Sequence, residues 1–286
     1  MQNIRVIARL DIKGPNLVKG IHLEGLRVLG KPEQFAKYYY ENGADELMYM
    51  DVVASLYERN SLKDIITRTA KEIFIPLTVG GGIRTVDDIR EALRAGADKV
   101  CLNTAAIKTP EIIKEASRIF GSSTIVVAIE AIKQADGTYL AYTDNAREYT
   151  GVEVFDWAKK VEELGAGEIV LTSVDNEGTG KGFDLDLVKK VANSVSIPVI
   201  AHGGTGNATD IEKVVKDGGA NAVAVASVLH YDFIRKNIKD GDYSTEGNIE
   251  FLKSGKEFGH IKPCDLSEIK SHLHAHGINC RYKIKE

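Results

Sequence analysis

The sequence predicts an α/β fold: a closed (β/α)8 barrel of the TIM type, built from two half-barrels of four βα units each. Three observations predict it. The first is an internal repeat: residues 75–104, IPLTVGGGIRTVDDIREALRAGADKVCLNT, are answered from Ile197 by IPVIAHGGTGNATDIEKVVKDGGANAVAVAS. Pro76 recurs as Pro198, Gly81-Gly82 as Gly203-Gly204 and Asp88-Ile89 as Asp210-Ile211, each 122 positions on. Upstream, Gly43-Ala44-Asp45-Glu46 recurs at the same offset as Gly165-Ala166-Gly167-Glu168, and one extra glycine at Gly218-Gly219 moves Asn103-Thr104 onto Ala226-Ser227. Such self-similarity marks a duplicated architecture. The second is the alternation of short apolar runs with helical patterns, eight times over, which implies a parallel sheet. The third is that the runs are apolar throughout, as parallel strands covered on both faces are. An open doubly wound sheet would leave edges and would not explain the two-fold repeat.

Taken in order, residues 6–10 form the first strand, ending at Asp11. A helix over 32–42 stops near Gly43, and strand two, 47–50, ends at Asp51. Helical spacing over 62–73 leads to strand three, 77–79, closed by Gly80-Gly81-Gly82. Thr85 then stands at an N-cap with Asp88 three residues on, the pattern of a capping box. Ile89, Ala92 and Leu93 make the buried stripe of that helix, and Gly96 ends it. Strand four covers 99–102, and Pro110 suits the first turn of a helix to about Phe120. Strand five, 124–129, ends at Glu130. A helix over 152–164 carries the one tryptophan, Trp157. Strand six is 168–171, followed by a helix over 185–195, strand seven at 198–201, a helix over 209–216 and strand eight at 222–225. Residues 232–262, rich in Gly, Lys and Asp, break the rhythm as an insertion after strand eight. Residues 265–275 read as a final helix ended by Gly277. The chain is thus one barrel domain over 1–286 with an insertion at about 232–262.

Composition narrows the function. A net charge of −4, from 37 basic and 41 acidic residues, argues against a nucleic-acid partner. No apolar run is long enough to span a membrane, and MQNIRVIARLDI does not read as a signal peptide. The three cysteines, Cys101, Cys264 and Cys280, form neither a disulfide framework nor a zinc pattern, which suits a reducing cytoplasm. Cys101 lies in an apolar run and is expected to pack in the core.

Active sites of this barrel lie at the C-terminal ends of the strands. Those ends carry Asp11, Asp51, Gly82, Asn103-Thr104, Glu130, Thr172-Ser173, Gly204 and Ser227. Gly82 with Asn103-Thr104 makes one phosphate cradle, since glycine at a strand end lets backbone N–H groups approach an anion. Gly204 with Ala226-Ser227 is its copy. Two symmetric cradles imply one ligand with a phosphate at each end, and the loop 175–180, with Asp175 and Gly178, can close over the second. Asp11 and Glu130 end strands one and five, opposite each other, and suit a general acid–base pair; Lys19 is a possible ion-pair partner for such an acid. At the other strand ends, Arg5, Glu46, Lys99 and Glu168 can close into a salt-bridge ring, either a solvated rim or a plug over a central pore. His202 is placed to reach the ligand or to pack. His272 and His276 share a helix face, but no carboxylate or cysteine lies at matching spacing. No metal site and no cofactor are expected.

The phrases ARLDI, LVKG, DELMYMDVVAS, TVGGGI, GADKVCLNTAAI, GAGEIVLTSVDNEGT and GKGFD resemble the cyclase subunits of imidazole glycerol phosphate synthase, from about Arg5 to Tyr231 and again in the last helix. The resemblance implies a (β/α)8 lyase of histidine biosynthesis. It would pair with a glutaminase of the class I amidotransferase type at the N-terminal barrel face, touched through Asp98 and Phe120. Ammonia would pass a gate of Arg5, Glu46, Lys99 and Glu168, cross the barrel and attack a bis-phosphorylated ribulosyl formimino-carboxamide nucleotide. The products would be imidazole glycerol phosphate and aminoimidazole carboxamide ribotide. Asp11 and Glu130 would be catalytic, and Lys19, Asp51, Thr172, Asp175 and Gly178 would join the two cradles in holding the substrate. The sequence departs from the family's pattern on the catalytic face. Glu130 stands for an aspartate, Arg9 for a cysteine, His202 for a serine and Glu177 for an aspartate. An alternative with an intact gate and altered chemistry is an ammonia-conducting paralogue that serves a separate amidotransferase of surface-sugar synthesis.

Overall fold

A computed structural model describes residues 3–54, 62–237 and 259–282. Eight parallel strands close into a barrel in the order β1 (Arg5–Lys13), β4 (Glu46–Asp51), β5 (Leu77–Gly80), β6 (Lys99–Leu102), β7 (Ile125–Lys133), β10 (Glu168–Ser173), β11 (Val199–His202) and β12 (Ala222–Val225). The last pairs in parallel with β1, with Arg5 opposite Ala222 and Ala8 opposite Val225, so the barrel has no open edge. Helices between strands pack outside.

Alternation along each strand decides what faces the lumen. Ile7, Met48, Cys101, Val126, Ala128, Val170, Ile200, Ala222 and Ala224 form a cluster of their own inside the barrel. Val6, Ala8 and Leu10 instead join the larger core between strands and helices. On β1 the inward face therefore reads Arg5, Ile7, Arg9, Asp11, which strings the rim, an apolar layer and a polar layer along one strand. The lumen is a packed core, and Cys101 belongs to it, 2% exposed with its thiol raised to about 12 by burial.

The repeat is structural. Gly81 and Gly203 hold φ of 92° and 93°. A Cβ at Gly81 would lie 2.3 Å from the Asp51 carbonyl oxygen, and one at Gly203 would lie 2.5 Å from that of Ser173. Both positions therefore need glycine, for the left-handed backbone and for the close approach. The helices that follow, Val86–Ala95 and Ala208–Lys216, both start with capping boxes, Thr85 with Asp88 and Asn207 with Asp210. Each box satisfies N–H groups that a helix start otherwise leaves unpaired, worth about 1 kcal/mol.

The structure adds elements beyond the eight units. β1 and β7 run past their acids and turn into hairpins, β2 (Asn16–Ile21) with β3 (Glu24–Gly30), and β8 (Tyr139–Thr143) with β9 (Glu148–Glu153). Their tips are repeat mates. His22 and Leu23 have φ of 54° and 62°, and Asp144 and Asn145 have 55° and 58°. The Asn145 side-chain amide donates to the Leu23 carbonyl at 2.7 Å, so the tips meet over the mouth. A short helix, Thr104–Lys108, also follows β6.

Residue 232, where the insertion is expected to begin, lies inside a helix. The helix Ser227–Asn237 runs through that position, and Asp232, 1% exposed, pairs with Arg235 at 2.9 Å and Lys236 at 2.8 Å. An acid with two i+3 and i+4 cations on one helix face is a helical pattern that the Gly- and Lys-rich composition downstream obscured. Residues 238–258 of the expected insertion lie outside the described residues. Its far arm returns over the barrel mouth, where the Lys262 amide donates to the Gly206 carbonyl at 2.8 Å. The final helix is Leu266–Ala275.

Candidate active site

The C-terminal mouth holds a cavity of about 340 Å³ over β4 to β7. Asp51, Gly82, Asn103, Thr104 and Glu130 all line it. The first cradle and one acid are thus brought together. Arg9, Arg84 and Lys108 also line it, three cations that suit an anionic ligand. Arg84 and Lys108 were not singled out from the sequence, although Arg84 directly follows the glycine turn. Asn103 Oδ1 and Asp144 Oδ1 are buried at this cavity without a hydrogen-bond partner among the described residues, which leaves two acceptors for a ligand's N–H or O–H groups.

Asp11 and Glu130 occupy strands on opposite sides of the barrel, both buried, in contrasting surroundings. Glu130 is burdened first by burial, which outweighs the Ala146 amide and the Arg9 charge and raises its carboxyl to about 7. The Ala146 N–H reaches Glu130 Oε2 at 2.7 Å from the β8–β9 turn, so the second hairpin positions this acid. Asp11 is buried as well, yet the charges of Arg9 and Lys19 outweigh burial and hold it below the ordinary carboxylate value.

The partner of Asp11 is Arg9, not Lys19. Arg9 Nε donates to Asp11 Oδ1 at 2.9 Å, and the strand period places both side chains on one face. Arg9 Nη1 also lies 3.1 Å from His202 Nδ1, and Thr172 Oγ1 lies 3.2 Å from the same nitrogen. A guanidinium only donates, so Nδ1 accepts and the His202 proton sits on Nε2. Burial, then Arg9 and Lys19, keep this imidazole neutral, its pKa well below the usual value. His202 and Thr172 are thereby tied to the polar layer beneath the mouth.

The second cradle is covered. Gly204, Ala226, Ser227, Thr172 and Gly178 do not line the cavity. The loop after β10 lies against Gly204: the Gly182 amide donates to the Gly204 carbonyl at 2.8 Å, and Asn176 donates to the Gly182 carbonyl at 2.9 Å. Gly178 touches the β2–β3 hairpin, where an added Cβ would lie 2.6 Å from the Gly20 carbonyl oxygen. Lys19, 3% exposed, is engaged by Glu177, whose other oxygen accepts from the Leu23 amide at 3.0 Å. Asp175 accepts from the Lys133 amide at 2.9 Å and orders the start of the loop.

At the opposite end the four charged strand starts form a closed ring. Arg5 reaches Glu46 at 2.6 Å and Glu168 at 2.9 Å, and Lys99 reaches Glu46 at 3.2 Å and Glu168 at 3.3 Å. Each acid bridges both bases, across the apolar lumen layer from Arg9. Asp98 lies beside the ring's strands and accepts from the Leu77 amide at 2.8 Å, while Phe120 lies under Arg90 at 5.8 Å.

The match to known proteins bears on this arrangement directly. A family model described as "Histidine biosynthesis protein" matches residues 5–235. The imidazole glycerol phosphate synthase subunit HisF of Legionella pneumophila is 61% identical over 206 residues, 72% of this chain and 97% of that protein. HisF of Prochlorococcus marinus (strain AS9601) is 50% identical over 232 residues, covering 80% of this chain and 91% of its own. HisF of Methanococcus vannielii is 47% identical over 247 residues, covering 79% and 91%. The chain belongs to the HisF family, the cyclase subunits of imidazole glycerol phosphate synthase. It is a lyase subunit of histidine biosynthesis, and the surface-sugar alternative is not favoured by these relatives.

Within this HisF chain Arg9 and His202, both expected to depart from the family's pattern, are in direct contact. Arg9 hydrogen-bonds Asp11 and His202, and its charge acts on Glu130. Glu177 anchors the first hairpin through Lys19 and Leu23. No helix among the described residues is long and apolar enough to cross a membrane.

Proposed function

We propose that Asp11 and Glu130 divide the proton transfers of ring closure, with Asp11 as the base and Glu130 as the acid. The observation that supports it is the divergence of their environments: one carboxyl is held ionised by Arg9 and Lys19, the other is kept protonated up to about 7 by burial. Paired acids whose surroundings separate their pKa values take opposite roles. The substrate is a bis-phosphorylated formimino-carboxamide nucleotide. Its first phosphate lies at Gly82, Asn103 and Thr104, with Arg84 and Lys108 supplying positive charge. Its second lies at Gly204, Ala226 and Ser227, and Lys19 exchanges Glu177 for a phosphate oxygen when the hairpin lifts. Asp51, Thr172, Asp175 and Gly178 shape the floor and loop around it.

Ammonia comes from a glutaminase subunit seated on the N-terminal face around Asp98 and Phe120. It passes the ring of Arg5, Glu46, Lys99 and Glu168 and reaches the polar layer along the barrel axis. The setting is the cytoplasm. Turnover of the bis-phosphate with ammonium salt alone, followed by the loss of substrate absorbance, tests the acid–base reading. Asp11→Asn and Glu130→Gln should each lower kcat by about a hundredfold or more, within the range of general acid–base contributions. Undiminished kcat in either variant would overturn the assignment of that residue.

A further inference from the structure

Outside the barrel mouth, Glu212, His272 and His276 bring three ligand atoms within 4.8 Å of one another. Glu212 projects from the helix Ala208–Lys216, and the two histidines stand one turn apart at the end of the final helix. The carboxylate that spacing along the chain did not offer is supplied by the packing of these two helices. His272 Nε2 lies 2.8 Å and His276 Nε2 3.9 Å from Glu212 Oε2, and the two rings stack with centroids 4.1 Å apart.

The surrounding hydrogen bonds orient His276 and Glu212. His276 Nδ1 lies 2.7 Å from the His272 carbonyl oxygen. A carbonyl only accepts, so Nδ1 carries the proton and, in the neutral ring, Nε2 presents a lone pair. That lone pair faces Glu212 Oε2 at 3.9 Å, the oxygen that also accepts from His272 Nε2–H at 2.8 Å, so a metal ion entering here displaces one proton, that of His272. Lys216 Nζ donates to Glu212 Oε1 at 2.9 Å, which leaves Oε2 as the oxygen turned toward the histidines. Ligands whose second polar atom is fixed by a hydrogen bond, and whose first points at a common spot, are the usual surroundings of a bound metal.

We propose that Glu212, His272 and His276 form a site for a borderline divalent cation of the Zn²⁺ type, with water as the fourth ligand. Tetrahedral ligands at 2.0–2.1 Å from zinc stand about 3.3 Å apart, between the two separations present here, so side-chain rotation suffices to admit the ion. Two imidazoles and a carboxylate suit Zn²⁺ over the harder Mg²⁺ and Ca²⁺. The ion fastens the final helix to the helix Ala208–Lys216. Those two helices carry, at their other ends, the Lys262 arm and the Gly206 turn that meet beside the second cradle. The metal therefore stabilises that wall of the mouth without entering the chemistry.

The test uses the full chain without an affinity tag, at pH 8, where free imidazoles are neutral. Zn²⁺ is titrated against a chromophoric chelator, with Mg²⁺ in parallel. One Zn²⁺ per chain is expected. Glu212→Gln, His272→Ala and His276→Ala should each weaken it at least about tenfold, while circular dichroism shows the barrel intact. Zn²⁺ should raise the Tm of the parent chain and leave that of His276→Ala unmoved. Zn²⁺ binding that persists undiminished in all three variants, or no stoichiometric binding by the parent, overturns the proposal. A cysteine-borne site is recognised by loss of binding in Cys264→Ser or Cys280→Ser instead, and that result overturns it too.

Discussion

Glu130 titrates near 7 in the folded chain against an ordinary value of 4.5, a difference that stability measurements can read. Below pH 4.5 the carboxyl is protonated whether the chain is folded or not. Between 4.5 and 7 the folded chain keeps a proton that the unfolded chain has released. The folded state therefore binds more protons in that window, and stability falls as pH rises through it. The contribution is fully present below the lower value and gone above the upper one. At about 1.36 kcal/mol per pH unit, the whole window amounts to roughly 3 kcal/mol, and the interval from pH 5.5 to pH 8 to about 2 kcal/mol. Glu130→Gln keeps the shape and the acceptor for the Ala146 amide but cannot ionise. Urea denaturation of both chains at pH 5.5 and pH 8 isolates the term. The parent should lose about 2 kcal/mol more than the variant over that interval. The same loss in both chains would refute burial as the force that raises Glu130. If the carboxyl is also the acid of ring closure, kcat/KM should fall about tenfold per pH unit well above 7.

Arg9→Met strands a buried Asp11 carboxylate and should cost about 3 kcal/mol in chemical denaturation, with part of that recovered in the Arg9→Met, Asp11→Asn double variant; strict additivity would show that the pair is uncoupled. Lys99→Ala opens the four-membered ring, so turnover on ammonium salt should persist while glutamine-dependent turnover with the glutaminase subunit falls; equal losses would refute a gate. Gly203→Ala forces a Cβ to 2.5 Å from the Ser173 oxygen at a φ of 93° and should cost about 2–4 kcal/mol. Gly43→Ala, at a φ of 92° with nothing within 4 Å, should cost only about 1 kcal/mol, which separates the contact from the backbone strain.

The sequence by itself determined the barrel and its symmetry, because both are written in local, periodic signals. Apolar runs set the strands, capping boxes and glycines set where helices start and stop, and the 122-residue offset between Gly81 and Gly203 carried the two-fold repeat. It also placed Gly82, Asn103 and Glu130 at strand ends, where they line the mouth cavity, whereas Asp11 is buried and does not line it. The two hairpins were not read from the sequence, although the turn that joins β7 to β8 carries a signal. Asp136-Gly137 is a hairpin turn signal, and Gln134 and Thr138 close it at 2.8 Å. The tip at His22-Leu23 carried no such signal, since its left-handed backbone is adopted without glycine. Contact across the fold decided the rest. Only tertiary structure gives Lys19 to Glu177, 158 positions away, and so leaves Arg9 to hold Asp11. Only helix packing brings Glu212 to His272 across 60 positions. Burial, which raises one acid and fails to raise the other, depends on which charges the closed barrel gathers around each. Strand and helix periods state which way a side chain points, but what it meets there is fixed by closure of the barrel.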